Sequence, residues 1–450
     1  MNKRRSAPVS GASATVAALC FGGTVSAMQQ TILVPVLPDL PHLLGTSADN
    51  VSWLVTATLL AAAITNPVAS RLADMYGKKT VMLWCLVVMI TGSLLGALTH
   101  DLAGGIAARA LQGVGVALIP IGMSIMRDVL PADRMPMGVA LMSATLALGG
   151  SAALPLAGLV VQHADWRVLF WITAGGGMVA LAFAAGVVPS TTIRSDGRFD
   201  LLGAALLSVA LVALLLALTK STQWGLAATL CCSAAGILAI GVWIPLQLRT
   251  ADSLVDLRVA ARPAVLFVNI ATAFAGFGMF VDPLVTTHLL QSPPLGLDPA
   301  TVGLLMAPTS VAFGAAAPLS AWVTRRRGAH VTFIVGALSM GAAYVLRIWL
   351  DHDIGWIIAG SLLVSAGASL AFGAMPALIM REVPVTHTTS ANGINALVRS
   401  IGISAASAAV AITEVPLNAF WGAAAACGIA VVMISATRSS YALDRSRVTM

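Results

Sequence analysis

The chain has 450 residues, 58% of them hydrophobic and only 10% charged. Soluble domains carry about 25% charged residues, so the polar surface of a water-soluble globule is missing and a lipid bilayer is the expected solvent. The net charge of +7 sits in short loops between apolar runs rather than on one face, which argues against nucleic acid as a partner.

Met1 to Arg5 is basic and residues 14–36 are apolar. A run of about 20 residues is too long for the core of a signal peptide and fits a retained membrane span. Apolar runs of spanning length follow at 50–73, 80–98, 103–127, 136–162, 167–188, 200–219, 225–247, 263–290, 299–324, 329–349, 354–380, 391–413 and 416–436. The expected fold is an all-α integral membrane protein with fourteen transmembrane helices, both termini on one side. With the tails 1–13 and 437–450 in the cytoplasm, the cytoplasmic segments hold 20 Lys and Arg against 9 Asp and Glu. The outer loops then hold 2 against 8. That asymmetry fixes the orientation by the positive-inside rule and predicts a multi-pass protein of the cytoplasmic membrane. Arg109, Arg347, Arg399 and Asp282 remain within the spans. The five cysteines (Cys20, Cys85, Cys231, Cys232 and Cys427) lie in apolar runs without metal spacing, so they read as small hydrophobes, with no metal and no cofactor expected.

The charged island Ser70-Arg71-Leu-Ala-Asp74-Met-Tyr-Gly77-Lys78-Lys79 joins the second and third runs. Asp74 falls at the C-terminal end of a helix, where the helix dipole disfavours an anion. Arg71, Lys78, Lys79 and Arg127 are the cations expected to compensate it. Pro67 to Gly77 aligns without gaps to Pro318 to Gly328, with Arg325 at the place of Asp74. A parallel repeat of this kind predicts two six-helix bundles, 14–188 and 263–436, related by an axis along the membrane normal. Residues 200–247 are then an inserted helix pair facing lipid. Pro35, Pro120, Pro155, Pro283, Pro308 and Pro376 are expected to bend their helices, and Asp298-Pro299 reads as a cap with proline at the first helical position.

Three stretches together resemble the major facilitator superfamily, and within it the fourteen-spanner drug:proton antiporters, over about residues 15–436. The first is the island at 70–79, which in that family resembles a conformational latch; Ser70 stands where glycine is usual. The second is Arg109-Ala-Leu-Gln112-Gly-Val-Gly in the fourth span. The resemblance links Arg109 to proton coupling, and Gln112 shares its face. The third is Gly149-Gly150-Ser-Ala-Ala-Leu154-Pro155-Leu-Ala-Gly158 in the fifth span. Leu154-Pro155 replaces the usual Gly-Pro, and Gly150 and Gly158 read either as an antiporter motif or as ordinary small-residue packing.

One departure concerns the first span. The family commonly has an Asp there, and this chain has Gln29 followed by Gln30; Gln exchanges no proton. Asp282 is the acid left inside a span. Counting 1.5 Å per residue puts it about 27 Å from the inner face, a depth similar to that of Arg109. Two readings stand: Asp282 is the proton-exchanging carboxylate tuned by Arg109, or it meets headgroups and water near the outer end and caps the break at Pro283. Arg347 is expected to snorkel beside Asp351, and Arg399, about 12 Å from the inner face, to play a structural role.

The resemblance implies efflux of small amphipathic or hydrophobic compounds, such as drugs or antibiotics. Inward proton flow would drive it by alternating access in a monomer. Gln29, Gln30, Gln112, Met28 and Met279 are the expected cavity residues. An uptake symporter or facilitator on the same scaffold is the alternative. An integral-membrane enzyme would need several acids, histidines or metal ligands converging at one depth, and a lone intramembrane Asp does not supply them.

Overall fold

In hydrocarbon each backbone N–H and C=O must be satisfied within its own segment, which leaves long apolar runs one outcome, the α-helix. The computed structural model describes residues 9–448 apart from 34–35, 38–39, 132, 191–197, 251–252, 256, 298, 351–352, 384–387 and 413–415. The described residues form helices and connections, with no strand among them. In chain order the long helices are α1 (Val9–Thr31), α2 (Trp53–Tyr76), α3 (Lys78–Leu98), α4 (Leu102–Val129), α5 (Met135–His163) and α6 (Val168–Val187). There follow α7 (201–224) and α8 (226–249), then α9 (Pro263–Gln291), α10 (Pro299–Arg327), α11 (Ala329–Leu350), α12 (Ile354–Glu382), α13 (Thr388–Ile412) and α14 (Pro416–Val448). Ten segments among the described residues are long and apolar enough to cross a membrane; α1, α5, α7 and α13 are not among those ten. Asp298 and Asp351, expected to cap α10 and to pair with Arg347, lie outside the described residues, as do Pro35 and the first eight residues.

The chain divides into two compact units. One comprises Met1–Gly197 with Val385–Asn392, the other Arg198–Pro384 with Gly393–Met450. In the first, α3 packs on α4 and α6, α2 on α4, and α1 on α5 and α6. In the second, α11 packs on α12 and α14, α10 on α12, and α9 on α12 and α14. Counting α9 as the counterpart of α1, the neighbour pairs α3–α4, α2–α4, α3–α6 and α1–α6 recur as α11–α12, α10–α12, α11–α14 and α9–α14.

The aligned turns at Gly77 and Gly328 also recur in conformation. Their φ values are +105° and +86°, a region that L side chains rarely enter. Each glycine reverses the chain in one residue between two long helices. Gly225 does the same between α7 and α8. That hairpin is clasped at its open end by Asp200, whose carboxylate accepts from Gly203 N at 2.8 Å and from Gln247 Nε2. Trp243 Nε1 donates to Gly203 O at 2.9 Å beside it.

Candidate functional site

In the first unit the site begins with a break in α4. The α-helix ends at Gly113, a 3-10 turn covers Val114–Ala117, and α-helix resumes at Leu118. A tighter turn weakens the i→i−4 ladder and frees carbonyls for other donors. Helix α1 supplies them: Gln29 Nε2 donates to Gln112 O at 2.7 Å and Ser26 Oγ to Gly115 O at 2.7 Å. Gln29 is fully buried. It therefore works as a donor at a position where a carboxylate would have to meet a carbonyl.

Arg109 completes this network. It is 1% exposed. Its Nε donates to Leu54 O at 3.1 Å, and its Nη1 to Gln29 O at 2.7 Å and to Gln112 Oε1 at 2.9 Å. Gln112 Nε2 passes the chain of bonds to Ser93 Oγ at 2.9 Å, and Thr173 Oγ1 donates to the same oxygen at 3.3 Å. Among the described residues no carboxylate pairs with Arg109. Its charge is solvated by carbonyl and amide dipoles from α1, α2 and α4. Gly92 and Gly113 allow this approach. A methyl built on Gly92 would lie 2.7 Å from Ala108 O, and one on Gly113 would lie 2.6 Å from Thr58 O.

At the Gly77 end of this unit Ser70, Arg71, Asp74 and Lys78 are all buried. The expected partner assignment changes in part. Lys78 Nζ pairs with Asp128 Oδ2 at 2.6 Å, and Lys79 Nζ donates to Ala185 O at 2.8 Å. Arg127 Nη1 donates to Thr388 Oγ1, and Thr389 Oγ1 donates to Ser124 Oγ at 2.6 Å. The sequence offers no signal for Asp128 as the partner, because it does not report which face of α4 meets the start of α3.

The close contact in α5 falls on Gly149 rather than on the face of Gly150 and Gly158. A methyl on Gly149 would lie 2.5 Å from Thr24 O and 2.6 Å from Ala27 Cβ on α1, whereas one on Gly150 or Gly158 meets no described atom within 4 Å. The side chain of Pro155 lies outside the described residues.

The second unit holds a buried ion pair. Asp282 in α9 is 3% exposed, and its Oδ1 accepts from Arg347 Nη1 of α11. Arg347 is 1% exposed and does not snorkel. The same Nη1 donates to Thr286 Oγ1 at 2.9 Å and to Ser361 Oγ at 3.1 Å. Ser361 Oγ in turn donates to Asp282 Oδ1 at 3.0 Å. The guanidinium carbon lies 4.5 Å from the centre of the Phe420 ring on α14. Tyr344 closes the group by donating to Gly278 O. Gly360 makes room for the arginine: a methyl there would lie 2.4 Å from Arg347 Cγ. Asp282 is thus an interior acid with its counter-ion in its own unit, rather than one solvated at a helix end. Pro283 continues within α9.

This arrangement of intramembrane charge on a twice-repeated helical frame accompanies a family-model match. The model for the Major Facilitator Superfamily covers residues 19–407 and, in a second match, 266–446. The chain belongs to the major facilitator superfamily. It is a multi-pass membrane transporter of that class. It is 26% identical to the multidrug resistance protein Stp of Mycobacterium tuberculosis, over 81% of this chain and 69% of that one. It is also 26% identical to the putative multidrug resistance protein MdtD of Escherichia fergusonii, over 86% of this chain and 83% of that one. Among solved structures, the human organic anion transporter MFSD10 superposes with a TM-score of 0.69 at 15% identity, covering 95% of this chain and 100% of that one. That last likeness speaks to the fold alone.

Within this superfamily frame the remaining expected residues are dispersed. Gln30 is partly exposed and its Nε2 donates back to Ser26 O at 3.3 Å. Met28 packs against the apolar cluster that includes Ile32, Leu169 and Phe170. Met279 is partly exposed in α9. Arg399 is partly exposed in α13, with its guanidinium carbon 5.7 Å from the centre of the Phe372 ring.

Proposed function

We propose that this superfamily member exports small amphipathic or hydrophobic compounds, including drugs, across the cytoplasmic membrane in exchange for protons. The fourteen apolar runs are its crossings and both termini lie in the cytoplasm. Transport proceeds by alternating access of two six-helix bundles, 14–188 and 263–436, with 200–247 an inserted pair. The chain works as a monomer. The names of two bacterial relatives, a multidrug resistance protein and a putative one, support the direction and class of transport.

The single observation that carries proton coupling is the buried carboxylate of Asp282, ion-paired in mid-helix with Arg347. An ionisable group inside a span is retained against a penalty of at least about 2.5 kcal/mol, and a carboxylate there can load and release a proton. When Asp282 takes a proton, Arg347 keeps Thr286, Ser361 and the Phe420 ring as partners, so the arginine stays solvated while the tie between α9 and α11 loosens. Arg109 holds the first unit's helices in register through Gln29, Gln112, Ser93 and Thr173. The island at 70–79 latches the cytoplasmic side through Asp74 and the Lys78–Asp128 pair.

Susceptibility of a deletion strain and an overexpressing strain to a compound panel, with and without an uncoupler, tests this reading. Overexpression should protect against amphipathic compounds, and the uncoupler should abolish the protection. Protection that survives collapse of the proton gradient would overturn proton coupling.

A further inference from the structure

The spans carry three arginines and one aspartate, and the described residues account for two of the three cations. Arg347 has Asp282. Arg109 is sealed, with protein oxygens on Nε and Nη1. Arg399 differs from both. It is partly exposed, and its side chain pairs with no carboxylate and donates no hydrogen bond among the described residues; its one described side-chain partner is the face of Phe372.

Its surroundings are built rather than incidental. Arg399 lies about three turns into α13, on the same face as Asn395 one turn earlier. Asn395 Nδ2 donates to Asn269 Oδ1 at 3.1 Å and to Thr272 Oγ1 at 2.7 Å on α9. One turn further along α9, Gly276 lets the backbone of Arg399 come close: a methyl there would lie 2.9 Å from Arg399 O. Gly402 sits even tighter, with a methyl placed 2.0 Å from Ala273 O. Small residues press α13 against α9, and a polar stripe between them ends at a guanidinium whose donors meet no acceptor among the described residues. An arginine inside a span pairs with an opposite charge or lines a path for one. A planar guanidinium binds a carboxylate through two parallel hydrogen bonds.

We propose that Arg399 is the counter-charge for an anionic group on the transported compound, so that the cargo class is amphipathic organic acids: a carboxylate on Arg399 and an apolar or aromatic body toward Phe372. This rests on the efflux reading above and narrows it. The net positive interior of the spans favours an anion over a lipophilic cation. The absence of an acid at Gln29 removes the group that would otherwise attract a cation.

The test uses everted membrane vesicles holding the full chain and three probes: an aromatic monocarboxylate, its uncharged primary amide and tetraphenylphosphonium. The carboxylate should accumulate and the amide should be taken up about tenfold less, the size of one lost charge-assisted contact. Arg399→Gln should lower carboxylate uptake by a similar factor. Arg399→Lys, which keeps the charge and loses the fork, should raise KM more than it lowers kcat. Membrane content of each variant is measured alongside. If Arg399→Gln fails to reach the membrane, discrimination by the unaltered chain between the acid and its amide still decides. Uptake of tetraphenylphosphonium without uptake of the carboxylate would overturn the assignment and leave efflux standing, as would equal carboxylate uptake by Arg399→Gln. If none of the three probes is transported, the efflux reading and the assignment fall together.

Discussion

Asp282 on α9 and Arg347 on α11 lie 19 and 18 residues beyond the starts of their apolar runs at 263 and 329, about 27–29 Å by helical rise, and they meet in a buried ion pair. Removing one member of such a pair strands a charge, at about 3–5 kcal/mol, whereas removing both together is far less damaging. Arg347→Ala should therefore lower thermal stability in detergent sharply, and Asp282→Asn with Arg347→Gln should recover most of the loss. Additive losses in the double variant would show that the two residues do not act as a pair.

The Lys78–Asp128 pair gives a parallel expectation in the first unit. Lys78→Met alone is expected to destabilise by about 3–5 kcal/mol, with Asp128→Leu as the compensating change. Asp74→Asn should cripple transport while leaving membrane insertion intact. Transport at the unaltered rate would reduce residues 70–79 to a plain turn between two helices.

Gly360 and Gly149 test close packing. Gly360→Ala places a methyl 2.4 Å from Arg347 Cγ and is expected to cost about 1–3 kcal/mol as overpacking. Gly149→Ala should cost a similar amount against α1. Gly150→Ala and Gly158→Ala, which meet no described atom, should be close to neutral. Thermal unfolding of the four variants checks the order.

Gln29→Leu removes the donor to Gln112 O and leaves a buried carbonyl unsatisfied, at about 1–3 kcal/mol. Gln29→Glu should be worse at neutral pH than at acid pH, because an ionised carboxylate would face that carbonyl. Unfolding temperatures at two pH values separate the two variants.

Between α5 and α6, Asp165 is held below the usual carboxylate range, first by the hydrogen bond from the Arg167 side chain, opposed in part by partial burial. A depressed folded-state pKa contributes stability above the unfolded value, and that contribution is lost as pH falls through the folded one. The Asp165–Arg167 tie should therefore be intact at neutral pH and shed only in acid below the ordinary aspartate range. Titration of Asp165 by carboxyl NMR should place its midpoint below that of an unstructured aspartate.

The helices were legible in the sequence because the bilayer leaves an apolar run few alternatives, and the turns at Gly77 and Gly328 because a one-residue reversal demands glycine. Partners across helices were not legible. Hydropathy does not report how a helix is rotated about its axis or which neighbours it has. The nearest acid to Arg347 along the chain is Asp351, although Arg347's count from the start of its run comes within one residue of that of Asp282. Lys78 likewise reads as one of four candidate cations for Asp74, because the sequence does not show that α4 brings Asp128 to it. Arg347, 18 residues beyond the start of its run at 329, falls about 27 Å along its helix, close to the depth of Asp282, and that match is the signal the sequence carries for the pair.

The claim that Asp282 exchanges the coupled proton is tested most directly by comparing Asp282→Asn with the unaltered chain in everted vesicles, in both proton-driven uptake and energy-independent counterflow of one transported compound. Loss of proton-driven uptake with counterflow retained is the predicted result. Proton-driven uptake at the unaltered rate in Asp282→Asn would contradict it.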